Sequence, residues 1–321
     1  LILRQRVSNY RAGDLDRDFA RLRLAEDFLY AYGFMPDVTQ RLLHPRRDVR
    51  RADGRHRPTG LAAKVLDFVH GRGEVHPRDL EIQFGKKRAV NGWGGFSKAT
   101  TRALQSLHHH GLLRVARRQD GIRIYEAAPP PPEPLPAEER LRALTRLVLR
   151  LLAPAPEVSF RATIAMMARH SPGLGNTRAM LAELIKSGEI ARAEIADETY
   201  LWPADMPAAR ETPSAVRFLA PFDPIVWDRR RFEHLWGWPY RFEAYTPARK
   251  RKLGYYAMPL LWGDRVIGWV NASVVEGALR IEPGFVTARP RGRDFTRAFD
   301  AEVARLQAFL GASDVDRANQ D

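Results

Sequence analysis

A Leu-x-x-Leu-x-x-x-Gly pattern occurs twice, as Leu104, Leu107 and Gly111 and again, at one constant interval, as Leu181, Leu184 and Gly188. In both copies the glycine ends a run of helical period and precedes two short alternating stretches, so each copy reads as a helix, a left-handed stop and a hairpin. Internal repetition of this kind restricts the fold to two versions of one supersecondary unit. Between them lies the tract PPPPEPLP over 129–136, which can form neither helix interior nor central strand and reads as a stiff spacer.

The first copy is the fuller one. Leu61, Val65, Leu66, Phe68 and Val69 mark a helix, and Pro77 opens a second at the position proline favours. Ser97 is placed to cap a third helix over 98–110, and strands over 112–116 and 122–126 flank a Gln119-Asp120-Gly121 turn. Three helices and a hairpin in this order predict a winged helix-turn-helix. The second copy predicts a helix over 138–152, a second capped by Ser159, a third capped by Asn176, and strands over 189–195 and 199–202. Upstream, Leu22, Ala25, Phe28 and Leu29 predict helix within 14–43, with Pro36 as its stop. Downstream, strand-like runs over 217–219, 240–245, 255–261, 266–275 and 279–282, with turns at Asp264 and Gly277, lead to a helix over 293–310.

The expected fold is therefore α+β and helix-rich, with tandem winged helix-turn-helix units and a C-terminal mixed domain carrying an antiparallel sheet. Its expected divisions are the remainder of a winged-helix or helical domain (1–57), a basic winged helix (58–128), the Pro-rich linker (129–136), an architectural winged helix (137–210), a β-rich domain with a terminal helix (211–311) and a disordered tail (312–321).

Charge sets the partner. The 321 residues carry 52 Lys+Arg against 38 Asp+Glu, a formal charge of +14, which suits a phosphate-rich partner whose counterions are released on binding. Clustering says more than the total. Over 86–123, nine basic residues face only Asp120, and Lys86, Lys87, Arg88, Ser97, Lys98, Arg102, Arg117, Arg118 and Arg123 are the candidate DNA contacts on the third helix and wing. Trp93, among glycines at 91–95, is placed either against a base or on its own domain. Over 217–252, nine Lys/Arg stand against four Asp/Glu and interleave with aromatic residues, which adds Arg229, Arg249, Lys250 and Arg251 to the candidates. The second repeat, with Glu183, Glu189, Glu194, Asp197 and Glu198, reads as architectural.

Other chemistries are poorly served. Zero cysteines exclude disulfides, thiolate metal sites and a thiol nucleophile, and no apolar run has the length of a membrane span. His108, His109 and His110 are consecutive, so on a helix they diverge and read as polar residues at a helix end rather than metal ligands. Asp223 before Pro224 and Asp228 before Arg229 fit turns or ion pairs better than catalysis. No phosphate loop, His-Glu-x-x-His helix or Gly-x-Ser-x-Gly elbow is present. No catalytic residue, metal or cofactor is expected, and a cytoplasmic monomer, bound to the nucleoid through duplex DNA and without a membrane partner, is.

Pro221-Phe222-Asp223-Pro224, Val226-Trp227-Asp228-Arg229, Tyr245-Thr246-Pro247, Lys250-Arg251, Gly254-Tyr255 and Pro259-Leu260-Leu261, with Asn9-Tyr10 and Phe34-Met35-Pro36, resemble the YcaQ-like and AlkZ-like winged-helix DNA glycosylases. The resemblance covers most of the chain to about Leu310. It implies tandem winged helices around a cationic channel and hydrolysis of the N-glycosidic bond of alkylated or crosslinked purines in DNA repair. It also implies a catalytic Gln-aliphatic-Asp or Gln-aliphatic-Gln motif near the N-terminus, yet none of the seven glutamines is followed two positions later by Asp or Gln. The matching region of the family lies upstream of Leu1, so an N-terminally truncated chain is expected. Tyr30-Ala31 stands where relatives carry His-Glu, and Asn271 and Ser273 stand where they carry Asp and Lys. A non-catalytic winged-helix DNA-binding protein or transcriptional regulator is the alternative.

Overall fold

The computed structural model describes residues 1–46, 56–90, 96–129, 135–171, 173–207 and 211–317. The chain falls into two compact units. Unit 1 gathers Leu1–Asp14, Leu151–Ser159 and Glu194–Asp321, and unit 2 gathers Leu15–Arg150 and Phe160–Ala193.

The helix expected within 14–43 is replaced by α1 (Asp14–Asp18), an antiparallel hairpin of β1 (Leu24–Phe28) and β2 (Tyr32–Pro36), and α2 (Asp37–Leu43). Pro36 ends a strand and serves as N-cap of α2 rather than stopping a helix. Glu26 and Asp27 supply the physical reason. They are only 2% and 1% exposed, and as neighbours on a strand they point to opposite faces, where each finds its own cations. Local periodicity is overridden by these tertiary ion pairs.

The next elements are α3 (Leu61–Arg72), α4 (Pro77–Phe84), a short pair of β3 (Arg88–Val90) and β4 (Phe96–Lys98), α5 (Ala99–His109) and the hairpin of β5 (Leu113–Gln119) and β6 (Ile122–Ala127). Pro77 occupies the first turn of α4, where His76 and Asp79 form a reciprocal capping box. Ser97 does not cap α5. It lies in β4, its buried Oγ has no hydrogen-bond partner among the described residues, and Lys98 takes the N-cap position without a side-chain bond. Asp120 and Gly121 turn the hairpin with φ of 50° and 76°, the paired left-handed conformations that a two-residue turn requires. Val65, Val69, Leu80, Leu104, Leu107 and Leu113 form the core beneath these helices.

The second repeat supplies α6 (Ala137–Leu152), β7 (Ala155–Pro156), α7 (Glu157–His170), α8 (Thr177–Lys186), β8 (Ile190–Ile195) and β9 (Glu198–Pro203). Leu181 and Leu184 are fully buried, as Leu104 and Leu107 are. Asn176 caps α8 by accepting from the N–H groups of Arg178 and Ala179. Ser159, expected as a cap, lies inside α7, whose first residue is Glu157. Of the Pro-rich tract, residues 130–134 lie outside the described residues.

In unit 1, β10 (Val216–Phe218) precedes the short helices α9 (Pro224–Trp227) and α10 (Arg229–Trp236). There follow β11 (Met258–Trp262), β12 (Arg265–Val275), β13 (Ala278–Phe285), α11 (Arg293–Leu310) and β14 (Asp314–Arg317). The sheet order is β10-β11-β12-β13-β14, antiparallel except for the last pair. Part of the tail expected to be disordered is thus a strand. α11 packs Phe295, Phe299, Val303 and Leu306 onto Phe218, Leu260, Val270 and Ile281. Glu302, fully buried on this helix, accepts from Arg4 Nη2 and Gln5 Nε2, both at 2.7 Å, and from the Phe218 N–H at 3.0 Å.

Gly268 on β12 permits the close approach of β13. A Cβ there would overlap the Gly284 carbonyl oxygen and lie 2.9 Å from Cα of Phe285. Gly268→Ala is therefore expected to cost about 3 kcal/mol, read by urea unfolding of the purified protein. A loss below about 0.5 kcal/mol would show that the strands separate freely.

Candidate nucleic-acid interface

In unit 2 the N-terminal half of α5 and the β5–β6 hairpin border a cleft of ≈ 230 Å³, lined by Pro77, Thr101, Gln105, Arg118, Arg123 and Tyr125 among others. Its two arginines are fixed from behind. Arg118 Nε and Nη2 donate to Glu26 at 2.8 and 2.7 Å, and Arg123 Nε lies 3.4 Å from the same carboxylate. The Arg123 guanidinium sits 3.8 Å above the Tyr32 ring and that of Arg118 5.2 Å over Phe34.

The nearly uncompensated charge read over 86–123 is compensated in space. Glu26 meets Arg118 and Arg123, Glu74 meets Arg117 at 2.8 Å, Glu81 meets Lys98 at 2.5 Å, and Glu126 meets Arg114 at 2.7 Å. All four acids lie outside the counted window, which is why a count along the chain missed them. Arg102 donates to the Val90 carbonyl. Lys86, Lys87 and Arg88 are exposed and form no ion pair among the described residues, whereas Trp93 lies outside those residues.

The histidine run divides among three environments. His108 is buried, with its ring nitrogens 3.1 Å from the Leu113 carbonyl and 3.2 Å from Tyr32 Oη. His109 is lowered to about 4 by burial and by the Arg46 charge, and His110 stacks on His56 at 3.6 Å.

Unit 1 holds the 220–261 segment. Asp223 and Asp228 are N-caps, accepting from the N–H groups of Ile225 and Arg231, and the fully buried Asp223 also takes a bidentate pair from Arg6. Phe232 and Tyr240 are buried against Trp236 and Trp238, and Trp238 stacks on Trp269. Arg229 lies 4.6 Å over the Tyr240 ring. The strand expected over 240–245 does not form, because Glu243 directs the chain otherwise. Its Oε2, almost fully buried, accepts the N–H groups of Lys252 at 2.8 Å and Leu253 at 2.7 Å, which folds residues 243–254 into a closed loop. Asn271 locks that loop from the sheet by donating Nδ2 to the Leu253 carbonyl at 2.7 Å. Beside it Gly254 has φ +122°, and a Cβ there would overlap the Asn271 amide. Asn271 thus positions backbone, a task that needs a donor, and an aspartate carboxylate would not supply one.

The loop surface is the reverse of the wing. Arg241, Arg249, Lys250 and Lys252 are exposed, and none of them, nor Arg251, forms an ion pair among the described residues. Arg251 donates to the Thr246 carbonyl and lies 4.9 Å over the Tyr255 ring. Glu243, the one acid of this stretch, spends its charge on backbone N–H groups. Sequence reasoning named Arg249, Lys250 and Arg251 but missed Glu243 and Lys252.

Buried carboxylates are candidates for acid–base chemistry only if they are free to titrate near neutrality. Glu26, Asp27, Asp223, Glu243 and Glu302 are each occupied by arginine, histidine or backbone donors. At Asp27 burial favours the neutral acid, but the His44 hydrogen bond and the Arg46 charge outweigh it and hold the carboxyl well below its ordinary range.

Residues 1–309 match the family described as DNA glycosylase AlkZ-like. Among solved structures, the chain is similar to the DNA glycosylase AlkZ of Streptomyces sahachiroi, at 14% identity and a TM-score of 0.56, over 95% of this chain and 85% of that one. At that identity the likeness concerns the fold, whereas the family match runs through both units and carries the assignment: the chain belongs to the AlkZ-like DNA glycosylase family.

Proposed function

We propose that this protein binds duplex DNA and serves repair of alkylated or crosslinked purines, the lesion class whose glycosidic bond this reading takes as its target. The carrying observation is the cationic surface at Arg241, Arg249, Lys250, Arg251 and Lys252, none of which forms an ion pair among the described residues, on a loop held rigid by Glu243 and Asn271. Unpaired cations on a fixed backbone contribute phosphate affinity without first breaking an internal ion pair. N7 alkylation makes a purine a good leaving group, so the remaining requirement is a group that stabilises oxocarbenium character and orients water. In this reading a Gln-aliphatic-Asp or Gln-aliphatic-Gln pair supplies that group, and residues 1–321 contain none. The chain is thus proposed to bind lesion-bearing DNA and to release bases slowly. Cytoplasmic action as a monomer, with α3–β6 as a DNA-facing winged helix, belongs to the same reading.

The fully paired state of the buried carboxylates also favours a non-catalytic DNA-binding protein on the same scaffold. Titrating residues 1–321 against duplexes with and without one N7-methylguanine, at several salt concentrations, separates the two. A linear fall of log affinity with log salt, tolerance of sequence and preference for the methylated duplex support the repair reading. Tight binding to a single sequence regardless of damage supports the regulator. Absence of DNA binding overturns both.

A further inference from the structure

We infer that the loop carrying Tyr245 and Tyr255 is a stacking platform for an unpaired nucleobase, with the adjoining cations taking the flanking phosphates; this rests on the DNA-binding reading above. Tyr245 is 89% exposed and Tyr255 60%, the extremes among the aromatic residues of a segment whose other rings largely pack inward. Tyr245 meets Phe242 at 86° and 6.1 Å, and no aromatic ring stacks on its face among the described residues. Phe242 in turn packs edge-on against Tyr256 at 5.4 Å and meets Phe222 at 5.1 Å, which gives the exposed ring an apolar footing. Exposed rings gathered on one basic loop are the kind of surface that marks an interaction site.

The backbone beneath these rings is fixed. The Glu243 carboxylate gathers the Lys252 and Leu253 N–H groups, the Thr246 N–H bonds the Glu243 carbonyl at 2.9 Å, and Arg251 Nε holds the Thr246 carbonyl at 2.8 Å. A rigid presentation lowers the ordering cost of binding. The charge beside the rings is positive and without an ion pair among the described residues, which selects an anionic partner with flat faces. Within a paired duplex each base has both faces covered by its neighbours, so a protruding tyrosine gains stacking only from a base that has left the helix. A base bearing damage or lacking a partner is the least costly to unstack, so the platform favours DNA at such a site over intact duplex.

The test compares a fully paired duplex with the same duplex carrying one unpaired nucleotide, titrated with residues 1–321 and with Tyr245→Ala and Tyr245→Phe. The wild type is expected to bind the bulged duplex about tenfold more tightly. Tyr245→Ala is expected to abolish that preference while changing affinity for the paired duplex by no more than about twofold, and Tyr245→Phe to retain it. Because Tyr245 is almost wholly exposed, a loss through unfolding would lower both affinities alike, and that result overturns the proposal. So does equal binding of both duplexes by the wild type, which leaves the DNA-binding reading intact. Failure to bind either duplex overturns the reading and the platform with it. Binding of phosphatidylserine vesicles without a bulge preference replaces the platform by a membrane surface.

Discussion

Replacing Arg249, Lys250 and Lys252 together with alanine is expected to weaken duplex binding roughly a hundredfold at 0.15 M salt and to reduce the slope of log affinity against log salt by about 2.7. Both figures follow from one assumption, that each side chain neutralises one phosphate and so releases its share of condensed counterions. The assumption is reasonable here because all three are exposed and without an ion pair among the described residues. The corresponding change on the wing, Arg117, Arg118 and Arg123 to alanine, tests the other candidate surface. Sequence reasoning expects a reduced slope there too. The ion pairs predict a smaller reduction, because Arg117 already answers Glu74, and Arg118 and Arg123 answer a carboxylate that is only 2% exposed. They also predict a loss of stability on the wing, where removing both arginines leaves the Glu26 charge buried without a counterion. Equal slope changes for the two triple variants, measured by fluorescence anisotropy over a salt series, would show that ion pairing does not rank these surfaces.

The contrast also marks what was legible in the sequence. The repeat, the Asp120-Gly121 turn and the terminal helix over 293–310 were readable because local signals and tertiary context agree there. The hairpin of β1 and β2 was not, since its apolar residues happen to fall at helical spacing while Glu26 and Asp27 decide the matter through distant partners. Arg118 lies 92 positions from Glu26, a separation at which no window of charges registers the pair. Glu243 was hidden for another reason: its partners are backbone N–H groups, which carry no sequence signature. The candidate site was thus half visible, in its cations and aromatics, and half invisible, in the carboxylate and amide that fix them. Asn271, which the sequence shows only as a departure from an aspartate of the relatives, takes a positioning role through its bond to Leu253.

Removing the Asp27 carboxylate is expected to have the largest effect on stability, about 3–5 kcal/mol for Asp27→Ala at pH 7. Four donors converge on this side chain: Arg46 Nη1 and His44 Nε2 at 2.8 Å, the Phe28 N–H at 2.7 Å and Gln40 Nε2 at 3.2 Å. Arg46 is only 3% exposed and its Nε has no partner among the described residues, so the deletion strands a buried cation rather than merely losing a bond. The same geometry fixes the sign of the pH dependence. A carboxyl held below its unfolded value contributes stability that is fully present above about pH 4 and lost as the pH falls toward the folded value. His108, His109 and His170 are all lowered, with burial the leading cause, so the folded state binds fewer protons than the unfolded one there as well. Stability should consequently decline in two stages on acidification, first from about pH 6.5 toward 4 through the histidines and then below about pH 4 through Asp27. Urea unfolding across that range resolves the stages, and Asp27→Asn should flatten the second while deepening the first, because the Asp27 charge raises His108 and His109 and its loss lowers them further. A variant that keeps the wild-type slope below pH 4 would assign the acid sensitivity to other carboxylates, and an Asp27→Ala loss under about 1 kcal/mol would mean that water enters to solvate Arg46.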